Sequence, residues 1–187
     1  MSNSSNLFSQ AGLTDADVRM QTCSPNTRPY LKFQLHPDTK AMLPIQQITE
    51  VLKIQLGQIM PIPQMPPWVM GVYNWRGDIL WMVDLGQLMG LAAWYQHQHD
   101  RFLPTAIVLS PERASGNSEQ KIHLGLMVAV IDDLVACDPE IIQGIVDSAL
   151  NPPCYRFASG YWLKPSGEMI LALDGQAIAS AMPRSHN

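Results

Sequence analysis

The chain has 187 residues, with 16 acidic and 12 basic side chains, a formal net charge of −4, and 15% charged against 47% hydrophobic residues. That balance argues against a nucleic-acid-binding protein, whose usual footprint is a basic stripe, and a body of about 150 residues buries roughly 70% of its unfolded surface, enough for a core without staples. Three widely spaced cysteines, Cys23, Cys137 and Cys154, form no CxxC pair and predict free thiols in a reducing, cytoplasmic setting.

Residues 1–28 are rich in Ser and Asn and lead into the polar run Thr22–Pro29 with its two prolines, so they predict a disordered N-terminal tail. Within it, Thr14-Asp15-Ala16-Asp17 offers a Thr cap with an acid three residues on, the alternative being a short docking helix. No basic segment leads into an apolar core there, so no signal peptide is expected. The longest apolar run, Leu124 to Ile131, falls well short of the ~20 residues of a membrane span. Residues 29–183 form the expected folded domain.

That domain opens with Leu31 to His36, whose apolar/polar alternation is the period of a half-buried strand. Pro37 to Lys40 is a turn cluster, and Ala41 to Ile45 returns as a second strand that should end, or lie at an edge, at Pro44. Gln46 to Leu56 fits a helical turn running into a strand. Pro61, Pro63, Pro66 and Pro67 then forbid helix and central strand, leaving a stiff extended connection. Val69–Trp75, Arg76-Gly77-Asp78 and Ile79–Leu85 read as strand, tight turn, strand, with Gly77 free to take positive φ. Gly86 to Leu91 suits one helical turn, and Ala92 to Arg101 a connector.

From Phe102 the pattern restarts. Thr105–Leu109 is a buried-type strand, Ser110–Gln120 a polar loop, and Lys121–Ile131 a single long strand. Asp132–Asp147 is an acidic stretch read as a solvated face, Tyr155–Lys164 is strand-like, and Met169–Leu173 is the last strand before a closing helix over Asp174–Ala181. Many short strands spaced by turn signals predict an all-β barrel or sandwich with short helices. Hairpin, connector and strand pairs appear twice, although no exact repeat is visible.

Signatures of catalysis are missing: there is no GxSxG, HExxH, GxGxxG after a strand or GxxxxGK[ST]. His97 and His99 have no Cys or acid at ligand spacing and read as loop, so no metal and no cofactor is expected. His36 and His123 fall where a strand alternates toward solvent. Cys137 and Cys154 have no activating base nearby and read as packing thiols.

Pro63 to Leu85 carries the most specific pattern: a Pro-rich entry, Gly71-Val72-Tyr73-Asn74-Trp75-Arg76-Gly77, then a strand ending Val83-Asp84-Leu85. It resembles the chemotaxis coupling protein (CheW-like) family, in which Pro-x-x-Pro precedes Gly-Val-x-Asn-Leu-Arg-Gly and a Pro-Val-Val-Asp-Leu strand. The likeness extends from about Leu31 to Ala181, taking in Glu50-Val51, Gly125-Leu126-Met127-Val128 and Ile170 to Asp174. Trp75 replaces the usual Leu, Trp81 the usual Pro, Ala129 stands where Val-Asp is common, and Gly86 lacks a frequent Arg. Dense Trp and Gln usage looks like a branch serving type IV pilus motility or phototaxis.

The resemblance implies two packed five-stranded SH3-like β-barrels in a non-enzymatic adaptor. It would couple the cytoplasmic tips of methyl-accepting chemoreceptors to the regulatory domain of a CheA-type histidine kinase, with no nucleic acid and no direct membrane insertion. It places Arg76 and Glu50 at the receptor-binding surface, and they are expected to pair across adjacent strands. Ile48 and Val51, flanking Glu50, either line an apolar groove there or belong to the core, and Asn74 completes the candidate binding set. Gly71, Gly77 and Asp84 read as structural, the first for close approach, the second for the turn, the third as a helical cap. Trp68 and Trp75 are either core or rim anchors. The alternatives are a small-ligand-sensing regulatory module on the same barrel pair, and a divergent hydrolase using His36, Glu50 and Asp84.

Overall fold

The structure, a computed structural model, describes residues 26–93, 104–109, 123–145 and 153–183. The N-terminal tail up to residue 25, the His97–His99 pair and the polar loop 110–120 lie outside these residues. Ten strands are described: β1 (Arg28–His36), β2 (Thr39–Pro44), β3 (Ile48–Lys53), β4 (Val69–Trp75), β5 (Asp78–Asp84), β6 (Thr105–Leu109), β7 (His123–Val128), β8 (Val130–Cys137), β9 (Ala158–Leu163) and β10 (Met169–Leu173). Two short helices follow strand ends, α1 (Leu85–Leu88) after β5 and α2 (Gly175–Ser180) after β10.

The strands form two five-stranded sheets, ordered β8-β1-β2-β10-β9 and β3-β6-β7-β5-β4. Each is a hairpin, a parallel junction and a second hairpin: β1–β2 meets β10–β9 in one sheet, and β6–β7 meets β5–β4 in the other. The two halves of the chain therefore exchange strands. The first half gives β1–β2 to one sheet and β3, β4 and β5 to the other; the second half does the reverse. Neither sheet can form without both halves.

Register makes the two halves equivalent position by position. Ile48 opens β3 with a bulge before Glu50, and Ile131 in β8 has the same bulge beside Asp133. Counting on, Ile54 matches Cys137, 2% and 1% exposed, and Met60 matches Gln143. These last two close the barrels: Met60 pairs Val72 of β4, and Gln143 pairs Tyr161 of β9, each through two backbone hydrogen bonds of 2.8–2.9 Å.

Both closures pass over a glycine. A Cβ on Gly71 would sit 2.2 Å from the Met60 carbonyl oxygen, and one on Gly160 would sit 2.5 Å from that of Gln143. No side chain fits at either place. Gly71 is thus required by a backbone approach, and its φ of +139° suits glycine besides.

Core residues divide by strand face. Phe33, Leu43, Val83, Ile107, Leu126 and Leu171 meet in a core shared by the two sheets. Trp75, Leu80, Met82, Ala106, Val108 and Met127 fill the second barrel, while Tyr30, Met42, Cys137, Ile170 and Ala172 fill the first. This explains why Thr105–Leu109 reads as an unbroken apolar run. Its odd and even positions face different cores, so every residue is buried.

The stretch expected as one strand over Lys121–Ile131 is two. The chain passes Ala129, whose N donates to Gln34 O at 3.1 Å, and leaves one sheet for the other. The acidic stretch after it is solvated as expected at Asp132, Asp133 and Glu140, and its first part is the edge strand β8, paired with β1 from Gln34–Val130 to Arg28–Cys137. Pro44 ends β2 as its missing donor requires, within a strand flanked on both sides.

Candidate functional site

The β4–β5 hairpin turns through two residues, Arg76 and Gly77, between the paired Trp75 and Asp78. Both have positive φ, +56° and +91°, the mirror-image turn whose twist matches the flanking strands. Glycine takes such a backbone freely, whereas a residue with a Cβ is strained by about 1–2 kcal/mol. Asn74 stabilises the turn from its other side, its Oδ1 accepting from Gly77 N at 3.1 Å. An arginine therefore stands where Gly or Asn would be easier.

Glu50 of β3 reaches this turn across the seam that closes the barrel. β3 and β4 are the two end strands of their sheet, so the expected pairing of Arg76 with Glu50 forms between its ends rather than between hydrogen-bonded neighbours. Arg76 Nη2 lies 2.5 Å from Glu50 Oε2, and Trp75 Nε1 donates to Oε1. Both carboxylate oxygens are engaged. The Arg76 side chain is 70% exposed and that of Glu50 21%, so the pair presents its cationic end outward.

Trp75 itself is a core residue, 9% exposed. One ring edge reaches Glu50, the Arg76 guanidinium carbon lies 5.4 Å from its centre, and the His123 ring packs against it with centroids 4.9 Å apart. His123 is consequently not the solvent-facing strand histidine its alternation suggests. It is half-buried in the stack, and its Nδ1 is enclosed without a hydrogen-bond partner among the described residues. Neither Trp75 nor His123 stood out in sequence as part of this cluster. Their only signal was Trp75 in place of Leu beside the Arg-Gly turn.

The remaining candidates separate. Val51 is 43% exposed, while Ile48 is half-buried against the core shared by the sheets. Through the bulge Ile48 pairs Leu109 and Val51 pairs Ile107, two positions on one face of β6, with Ile48 packed against the shared core and Val51 open to solvent. Asp84 is 1% exposed and caps α1, its Oδ1 accepting from Gln87 N at 3.0 Å. Trp68 packs, partly buried, against the shared core. Among the described residues, four large apolar side chains are exposed on this barrel: Val51, Leu56, Met60 and Ile79.

Among the described residues the first barrel carries no copy of the Arg–Glu arrangement. Asp133 occupies the position of Glu50, and the corresponding turn runs from Lys164 to Glu168. There Glu168 bridges Lys40 at 2.5 Å and Lys164 at 3.0 Å. Hydrogen bonds from Lys40 and then Lys164 hold its carboxyl down at about 2. Among the described residues no group of three or more His, Cys, Asp or Glu is placed to hold a metal ion, and no helix is long and apolar enough to cross a membrane.

Two strand-exchanged SH3-like barrels, the second carrying a clasped, outward-facing arginine, define a double-barrel module. The CheW-like domain model matches residues 29–182, and the chain belongs to the CheW-like domain family. A solved structure, the scaffolding protein TtCheW from Thermoanaerobacter tengcongensis, shares the fold: 19% identity over 81% of this chain and 87% of that one, with a TM-score of 0.63. No curated protein matches the chain.

Proposed function

We propose that this chain is a non-catalytic, cytoplasmic adaptor that couples the tips of methyl-accepting chemoreceptors to the regulatory domain of a CheA-type histidine kinase. Family membership and the likeness to a scaffolding protein support the adaptor class. The observation that carries the receptor role is Arg76, an exposed cation kept at a turn position whose backbone costs it energy. A surface pair of this kind contributes only about 0.2–1 kcal/mol to the fold. Stability alone is therefore a poor reason for placing it there, while a desolvated arginine at an interface is a frequent hot spot.

Val51 beside Glu50, and Ile79 beside the turn, supply apolar contact to the same partner, with Asn74 holding the turn. Ile48 contributes from behind, through the packing of β3. Barrel-to-barrel contact with the kinase domain uses the other exposed apolar side chains of this barrel, Leu56 and Met60. Dense Trp and Gln usage favours a pathway of pilus-driven or light-directed movement. Co-purification with receptor tips and CheA-type kinases from the same organism tests the reading. Arg76→Ala is expected to lose receptor capture and to keep the fold. Full capture by that variant would overturn the receptor role, and loss of its folded circular dichroism would make Arg76 a fold residue instead.

A further inference from the structure

The arginine is fixed by more than its ion pair. Trp75 Nε1 and Arg76 Nη2 take one oxygen each of Glu50, which ties indole, carboxylate and guanidinium into one unit. The indole face lies under the guanidinium at 5.4 Å, and the His123 ring braces the indole from the protein side. His123 Nδ1 makes no hydrogen bond among the described residues, so at that nitrogen the brace acts through ring packing. A leucine at position 75 would offer Glu50 no donor and Arg76 no π face.

We propose that Trp75 is a positioning and specificity-determining residue of the Arg76 site. It holds Glu50 in the one orientation that clasps Arg76, so the turn offers a preset guanidinium edge to a carboxylate on the receptor tip. This rests on the receptor-binding reading above. The gain is preorganisation: a long, freely rotating side chain loses much rotamer entropy on docking, and one already held loses less. Only one Nη2 contact is spent on Glu50, so the outward N–H groups remain available to form a charge-assisted pair with the partner.

Trp75→Phe tests this, since it keeps an aromatic ring in the core but deletes the indole donor. Affinity for a purified receptor-tip hairpin from the same organism should fall roughly tenfold, the scale of one hydrogen bond to a charged group. The same substitution in an Arg76→Ala background should cost nothing further. Undiminished binding by Trp75→Phe, or an equal loss with Arg76 already absent, would overturn the proposal. The free protein gives a second readout that needs no partner. The Trp75 indole proton should exchange slowly with water and shift in its NMR resonance on Glu50→Gln, whereas rapid exchange and an unmoved resonance would overturn it. If Arg76→Ala binds the hairpin fully, the receptor reading falls, and the indole measurement alone then decides the positioning role.

Discussion

Replacing Arg76 by Gly and by Ala separates what the residue does for the fold from what it does at the surface. The φ of +56° at Arg76 carries a left-handed penalty of about 1–2 kcal/mol for any residue with a Cβ. Alanine keeps that penalty and removes the Glu50 pair and the Trp75 contact; at 70% side-chain exposure these contribute about 0.2–1 and 0.5–1 kcal/mol. Glycine removes the same contacts but relieves the strain, less about 0.4–1 kcal/mol for the greater freedom of the unfolded chain. Arg76→Gly should therefore be the more stable of the two by about 1 kcal/mol, or roughly 2–4 °C in melting temperature for a chain of this size. Paired thermal and urea melts measure the difference. An alanine variant as stable as the glycine variant would refute the strain argument, and a loss beyond about 3 kcal/mol in both would make the turn arginine part of the core architecture.

Three further outcomes follow from the geometry. Gly71→Ala and Gly160→Ala each drive a Cβ into a carbonyl oxygen at 2.2 and 2.5 Å, so each should open its barrel closure and lower urea-melt stability by about 3 kcal/mol or more; a loss under 1 kcal/mol would contradict the closures. Glu168 has its folded pKa depressed from 4.5 to about 2, so its contribution is complete above the unfolded value and disappears as pH falls toward the folded one. The gap in melting temperature between the parent and Glu168→Gln should be present at neutral pH and close across that acidic window; a gap unchanged down to the folded pKa would contradict the pairing. Burial, and then Asp138, push the Cys137 thiol up to about 11, so site-resolved mass spectrometry should find it unalkylated by iodoacetamide at pH 8 until the chain unfolds. Rapid labelling of Cys137 in the native protein would contradict its burial.

Local physics made much of this legible. The alternation of Leu31–His36, the apolar run at Thr105, the Arg-Gly turn and the Asp84 cap are each decided by a few neighbouring residues, and each stands where the pattern put it. What local pattern lacks is the exchange of strands between halves. At Ala129 the apolar run continues while the chain changes sheets, because the residues before it are buried and Val130 and Ile131 after it are half-buried, and periodicity has nothing to register there. A single bulge is hidden from local pattern in the same way: one extra residue brings Ile48 to the face of Val51, where plain alternation would set them opposite. Glu50 and Arg76 were legible through resemblance, but the Trp75–His123 brace joins β4 to β7, strands not paired with each other and nearly fifty residues apart in the chain.

The most direct test mixes the full chain with a receptor-tip hairpin and a CheA-type regulatory domain and weighs the products by sedimentation. The parent chain should carry both partners in one complex. The Arg76→Ala chain should keep the kinase domain and release the hairpin. A variant that still carries both, or a parent that joins neither, would contradict an adaptor that grips receptors through its clasped arginine.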